Sequence, residues 1–174
     1  LTKIKSDTER AMITSWWDFG HWFFTISERG TTFDGAGQGE KIHWVGKSLL
    51  TPEEKVSVGL LRMLNCGDDR PPHLLEEFFD GDTVKSVDVL NRMMVLNDRT
   101  AAIRLLKNEG LTDTQIADII KITYCDDIID QFYITSEDMV GKAGVWGHFG
   151  SWDFERASIY QDVIKDSTNG RELL

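Results

Sequence analysis

The chain has 174 residues, 41% of them hydrophobic and 28% charged, and a formal net charge of −10 from 29 acidic against 19 basic side chains. That length makes one domain, and the composition lies outside the disordered regime. An anionic surface repels a polyanion before contact, which excludes a phosphate-tracking nucleic-acid binder; no run approaches the ~18 apolar residues of a membrane span.

Six tryptophans are the anomaly of the composition, and Trp16, Trp17 and Trp22 stand close together. Phe19, Trp22, Phe23 and Ile26 recur at i, i+3, i+4 and i+7, which predicts a helix with a buried stripe. Adjacent helical residues point about 100° apart, so Trp16 and Trp17 cannot both enter one core from one direction. Trp17, with Asp18 beside it, is directed elsewhere. Two indoles flanking a carboxylate form a shallow apolar wall with one strong acceptor, and a shielded carboxylate wants a donor. The plainer alternative makes both tryptophans core and Asp18 the cap of a helix beginning at Phe19. Gly35-Ala36-Gly37-Gln38-Gly39 lacks the Lys-Ser/Thr of a phosphate loop and reads as a flexible turn.

Thr51-Pro52-Glu53-Glu54 combines an N-cap threonine, proline at the first helical position and a capping-box glutamate. Behind it Val56, Leu60, Leu61 and Leu64 keep helical spacing, and Asn65-Cys66-Gly67 supplies a stop. A further helix is expected over 83–97, with Val84, Val87, Leu90, Met94 and Val95 inward. Another follows over 98–108, closed by Gly110. Thr112-Asp113-Thr114-Gln115 is a second capping box, opening a helix with Ile116, Ile119 and Ile120 on one face. Strand evidence is confined to 130–135, and Ser136-Glu137-Asp138 then starts a short helix near 136–146. The expected fold is mainly α with a small β component, a single irregular helical core domain. Cys66 and Cys125 are either two buried thiols or one disulfide. The paired acids follow no EF-hand loop, the four histidines form no HExxH, and no Gly-x-Ser-x-Gly elbow is present, so no metal ligands and no catalytic residue are read here.

The run Ser15-Trp16-Trp17-Asp18-Phe19-Gly20-His21-Trp22 resembles the WWDYG signature of the catalytic subunit of oligosaccharyltransferase, the STT3/AglB family, with Phe19 in the tyrosine position. His21-Trp22 and the stretch from Gly35 to Gly39 resemble its archaeal branch. A second resemblance runs from Ser136 through Trp146 to Phe154, so the likeness covers roughly residues 11 to 160. Opening on Leu1, with neither an initiator Met nor a leader, the chain reads as a piece of a longer polypeptide.

The resemblance implies that residues 1–174 are the C-terminal globular domain, carrying the WWD motif, of a multi-pass membrane protein whose N-terminal membrane domain is absent here. Such a domain stands at the outer face of the cell membrane. The parent would be a glycosyltransferase of N-glycosylation, moving an oligosaccharide from a dolichyl-type lipid to the Asn of Asn-x-Ser/Thr. Its partners are then the acceptor polypeptide and, through the membrane domain, the lipid-linked oligosaccharide, with no nucleic acid. Its divalent metal, Mn or Mg, has ligands outside this chain, which alone is expected to be inactive. Trp16, Trp17 and Asp18 are implied to bind the acceptor Ser or Thr. The family's second motif, DxxKxxxM/I or a variant beginning with Met, falls on Met139, Lys142 and Trp146, with Asp138 one place off. Those spacings put the three on one helix face, against the Thr β-methyl, although Met first and Trp last depart from the pattern. The two motifs are expected to meet in space. A reading of another class is a non-catalytic helical peptide-binding or structural domain whose tryptophans bind another peptide or only pack.

Overall fold

In the computed structural model, which describes residues 11–36, 39 and 41–172, the apolar periodicity of the mid-chain becomes a stack of short helices. The chain passes through β1 (Met12–Thr14) and a 3-10 turn (Trp17–Phe19) into α1 (Gly20–Ser27). Six helices follow: α2 (Lys41–Leu50), α3 (Glu54–Gly67), α4 (Arg70–Phe78), α5 (Thr83–Met94), α6 (Arg99–Asn108) and α7 (Asp113–Thr123). Next come β2 (Gln131–Tyr133), α8 (Glu137–Gly141), α9 (Ala143–Gly150) and α10 (Phe154–Glu172), giving the mainly helical class with a small sheet that the sequence implied. Gly37 and Gln38 of the expected glycine turn lie outside the described residues.

Capping chemistry fixes the helix starts. Asp82 accepts from the Lys85 amide before α5, Asp98 from Thr100 before α6, and Thr112 with Gln115 forms the expected capping box before α7. Each cap satisfies an otherwise orphaned amide, worth about 1 kcal/mol. Two boundaries differ from expectation. Helix α3 begins at Glu54 rather than after Thr51, because the Thr51 hydroxyl accepts from the Glu53 amide two residues on, a local turn that delays the helix. Helix α5 ends at Met94, which leaves Val95 exposed instead of inward.

The core forms where α3, α5 and α7 bury Leu60, Met63, Leu90, Met93, Met94 and Ile119. Tyr124 closes it, its hydroxyl 2.7 Å from the Met93 carbonyl and its ring stacked 3.8 Å under the Arg62 guanidinium. Beside it, a Cys66–Cys125 disulfide ties the end of α3 to the segment after α7, with a Cα separation of 5.5 Å. Cross-linking across a loop of ~60 residues removes about 4 kcal/mol of unfolded-state freedom. The Cys66→Ser/Cys125→Ser double variant should therefore melt roughly 8–16 °C lower in calorimetry. An unchanged Tm would show the crosslink to be idle.

The stripe on α1 is not buried. Trp22 is 65% and Ile26 64% exposed, with Phe19 and Phe23 half-buried at its base. Helix α1 docks through Gly20 instead, whose position lies about 110° round the helix from the stripe. A Cβ there would stand 2.5 Å from the Asp34 Cβ and 2.6 Å from the Phe33 carbonyl oxygen. The bare glycine therefore chooses the contact face.

His43 of α2 is buried between Trp44 and Phe154, its Nδ1 2.9 Å from the Phe149 carbonyl oxygen. Burial pulls its pKa down to about 4, against a partial rise from the Phe149 bond. The ring is thus neutral when folded, with Nδ1–H donating. Because the unfolded ring titrates near 6.5, the contribution is complete above that pH and is lost as the pH falls towards 4. The loss is on the order of 3 kcal/mol. Urea unfolding across pH 4–7 should show this slope in the wild type and its absence in His43→Asn.

Candidate functional site

The WWD segment and the Met139–Trp146 segment are separated by some 120 residues, yet two strands bring them to one place. β1 and β2 pair in parallel, with Met12 opposite Gln131, Ile13 opposite Phe132 and Thr14 opposite Tyr133. Parallel strands leave their sheet at the same end, so the residues after Thr14 and after Tyr133 emerge side by side. Thr31 bridges the other side of Ile13, and Thr14 and Thr32 share a buried hydroxyl contact of 2.7 Å.

After β1, Ser15 and Trp16 turn inward. Trp16 is 1% exposed and meets Phe33 edge-on at 5.5 Å, so it underpins the site from the core. Trp17 is half-buried, with Gly35 against its ring; a Cβ on Gly35 would lie 3.4 Å from it. Asp18 sits in the 3-10 turn with its side chain 23% exposed.

After β2 the expected single helix is two. Lys142, at φ −99° and ψ 8°, separates α8 from α9, so Met139, Lys142 and Trp146 do not share one helix face. The break serves the arrangement. Met139 is buried, its Sδ 3.9 Å from the Ser15 hydroxyl. The Trp146 indole spans the break and donates to the Met139 carbonyl at 2.9 Å, a second donor beside the Lys142 amide at 3.1 Å. Lys142, at the joint, reaches Asp18 Oδ2 at 3.1 Å and Asp138 Oδ2 at 3.0 Å, with the Phe19 ring 5.7 Å away.

Two carboxylates thus face one ammonium. Hydrogen bonds from Ser136 and then Lys142 hold the Asp138 carboxyl below its usual range, and Asp138 followed by Asp18 raises the Lys142 ammonium above its own. The Lys142 ion pair with Asp18 is off the hydrogen-bonding direction: Asp18 Oδ2 is buried and receives no directed hydrogen bond. A carboxylate oxygen so placed lacks a directed donor, which a hydroxyl brought to it would supply. The sequence reading passed over Ser15 and the pairing role of Asp138, although the i, i+4 spacing of Asp138 and Lys142 is a visible signal. It also passed over Gly20, whose missing side chain seats the turn.

Among the described residues no group of three or more His, Cys, Asp or Glu side chains could hold a metal ion, and no helix is long and apolar enough to cross a membrane. No protein-family model and no solved structure matches the chain. A dolichyl-phosphooligosaccharide-protein glycotransferase of Methanocaldococcus jannaschii is 33% identical over 159 residues, 88% of this chain and 17% of that protein. One of the same description from Methanococcus voltae is 33% identical over 151 residues, 83% of this chain and 16% of that protein. The chain therefore spans about one sixth the length of these relatives. It is a relative of the archaeal oligosaccharyltransferases of the STT3/AglB family, matching a small part of their length.

Proposed function

We propose that this chain is the acceptor-recognition domain of an oligosaccharyltransferase, the C-terminal globular part of a multi-pass membrane enzyme, standing at the outer face of the membrane. The observation that carries the reading is Asp18 Oδ2, buried beside Lys142 and without a directed hydrogen bond. In an Asn-x-Ser/Thr acceptor the third residue offers one hydroxyl. Donated to Asp18, it makes a charge-assisted bond worth about 1.5–3 kcal/mol, and both Ser and Thr can make it. Trp17 walls the place, and Trp16 fixes the turn from beneath. In this reading the Thr β-methyl rests against the Met139–Trp146 segment, and Lys142 pairs with Asp18 at 3.1 Å.

The relatives' names point to a dolichyl-linked oligosaccharide as the donor and a protein as the acceptor. In this reading the parent enzyme's other parts bind the lipid-linked oligosaccharide and the divalent metal that activates the acceptor amide. This domain supplies sequence selection and does not transfer sugar alone. In the parent enzyme, Asp18→Ala should abolish transfer to Asn-x-Thr peptides, scored by the mobility shift of the glycosylated product. Transfer at an undiminished rate would refute the assignment.

A further inference from the structure

A cavity of about 240 Å³ lies between α2, α5 and the joint of α9 with α10, walled by Ile42, Val87, Phe149, Trp152 and Phe154. None of its lining residues belongs to the WWD segment or to Met139–Trp146. Two polar groups in its wall have no partner within the protein. His43 and Trp44 are 6% and 1% exposed, their rings are 4.5 Å apart, and both line the cavity. Nδ1–H of His43 is spent on the Phe149 carbonyl, which leaves Nε2 an orphaned acceptor, and the Trp44 Nε1–H is an orphaned donor. The other polar side chains there have partners of their own: the Ser86 hydroxyl donates to the Asp82 carbonyl at 2.7 Å, and the Thr83 hydroxyl donates to Glu76. Exposed Thr83 and Trp152 mark the mouth. A donor and an acceptor buried unpaired are costly, and side by side in one apolar cavity they mark a place built for a ligand.

We propose that this cavity binds a small neutral phenol, its ring against the aromatic wall and its hydroxyl donating to His43 Nε2 while accepting from Trp44 Nε1–H. A hydroxyl is the smallest group that answers both atoms at once. A dry apolar cavity of about 150 Å³ holds benzene, so the space here suits one substituted ring. The alternatives fit less well. Water would pair with the two polar atoms but leave the apolar walls wetted. A sugar brings several hydroxyls, and those beyond the first would be buried without partners. An ion finds no counter-charge in this pair, because burial keeps His43 neutral.

The test is N–H correlation NMR of the 174-residue chain, titrated with p-cresol and with toluene, which has the same ring and methyl and lacks the hydroxyl. Saturable movement of the Trp44 indole N–H resonance by p-cresol is expected, that resonance being assigned by its loss in Trp44→Phe. Toluene should bind about fivefold more weakly or worse. In Trp44→Phe, which keeps an aromatic wall and removes the donor, the preference for p-cresol should fall by about twofold or more, read from the Phe149 amide. N-acetyltyrosinamide distinguishes the source of the phenol: binding equal to that of p-cresol assigns the cavity to a tyrosine side chain of another polypeptide, and weaker binding assigns it to a free phenol. Equal affinity for toluene and p-cresol in the wild type would overturn the proposal. So would p-cresol shifts confined to Trp152 at the mouth, or movement of the Trp44 resonance by N-acetylglucosamine.

Discussion

Gly150→Ala should destabilise the protein by about 3 kcal/mol or more, whereas Gly147→Ala, one turn earlier on the same helix, should stabilise it by up to about 1 kcal/mol. The opposite signs follow from packing alone. Helix α9 lies along α2 so closely that a Cβ on Gly150 would stand 2.4 Å from the backbone carbonyl carbon of Gly46. A Cβ on Gly46 would in turn stand 2.7 Å from the Trp146 carbonyl oxygen and 2.9 Å from the Gly150 amide nitrogen. Neither obstacle is a flexible side chain, so relief requires the helices to part. Gly144 and Gly147 have nothing within 4 Å of such a Cβ, and alanine there removes only the entropic cost of glycine in a helix. Chemical denaturation of the variants measures both signs. Destabilisation by both, to the same extent, would contradict the packing account.

The consequence reaches the site. The Gly46–Gly150 contact sets the height of α9, α9 carries Trp146, and the Trp146 indole holds the Met139 carbonyl across the break at Lys142. Gly150→Ala should thus weaken acceptor recognition from a distance. Gly147→Ala should leave it intact.

Most helices of the middle of the chain are legible in the sequence because their signals are local. Thr112 with Gln115 and Gly110 act within a few residues of themselves, and the structure uses them as read; Asp98, the first residue of the expected 98–108 helix, serves as its cap. Helices α2, α4 and α10 escaped the reading, although Pro71 and Pro72 in the first turn of α4 and Asp153, which accepts from the Arg156 amide at the start of α10, are local start signals of the same kind. Strand β1 escaped it as well, because three residues too few to show alternation become a strand only through β2. The stripe on α1 was visible as a stripe, but its burial was not: periodicity tells which residues share a face, and Gly20 decides which face docks. The break at Lys142 was invisible because the Trp146 bond that sustains it joins residues whose spacing suits a continuous helix equally well. The meeting of the two motifs was expected from their resemblance to one family; the parallel register of β1 and β2 is its physical cause.

The central claim is that Asp18 reads a hydroxyl, and a double-mutant cycle on acceptor binding tests it most directly. Wild-type parent enzyme and its Asp18→Ala variant are each titrated with Asn-x-Thr and Asn-x-Val peptides. Valine keeps the shape of threonine and removes only the hydroxyl. Reading Kd keeps the cycle informative for a variant that no longer transfers. A hydrogen bond to an ionised acceptor of 1.5–3 kcal/mol predicts wild-type discrimination on the order of 10- to 100-fold in favour of Thr. In Asp18→Ala that preference should fall to within about twofold, giving a coupling energy close to the whole effect. Equal discrimination by the two proteins would contradict the account, because the hydroxyl would then be read by some other group.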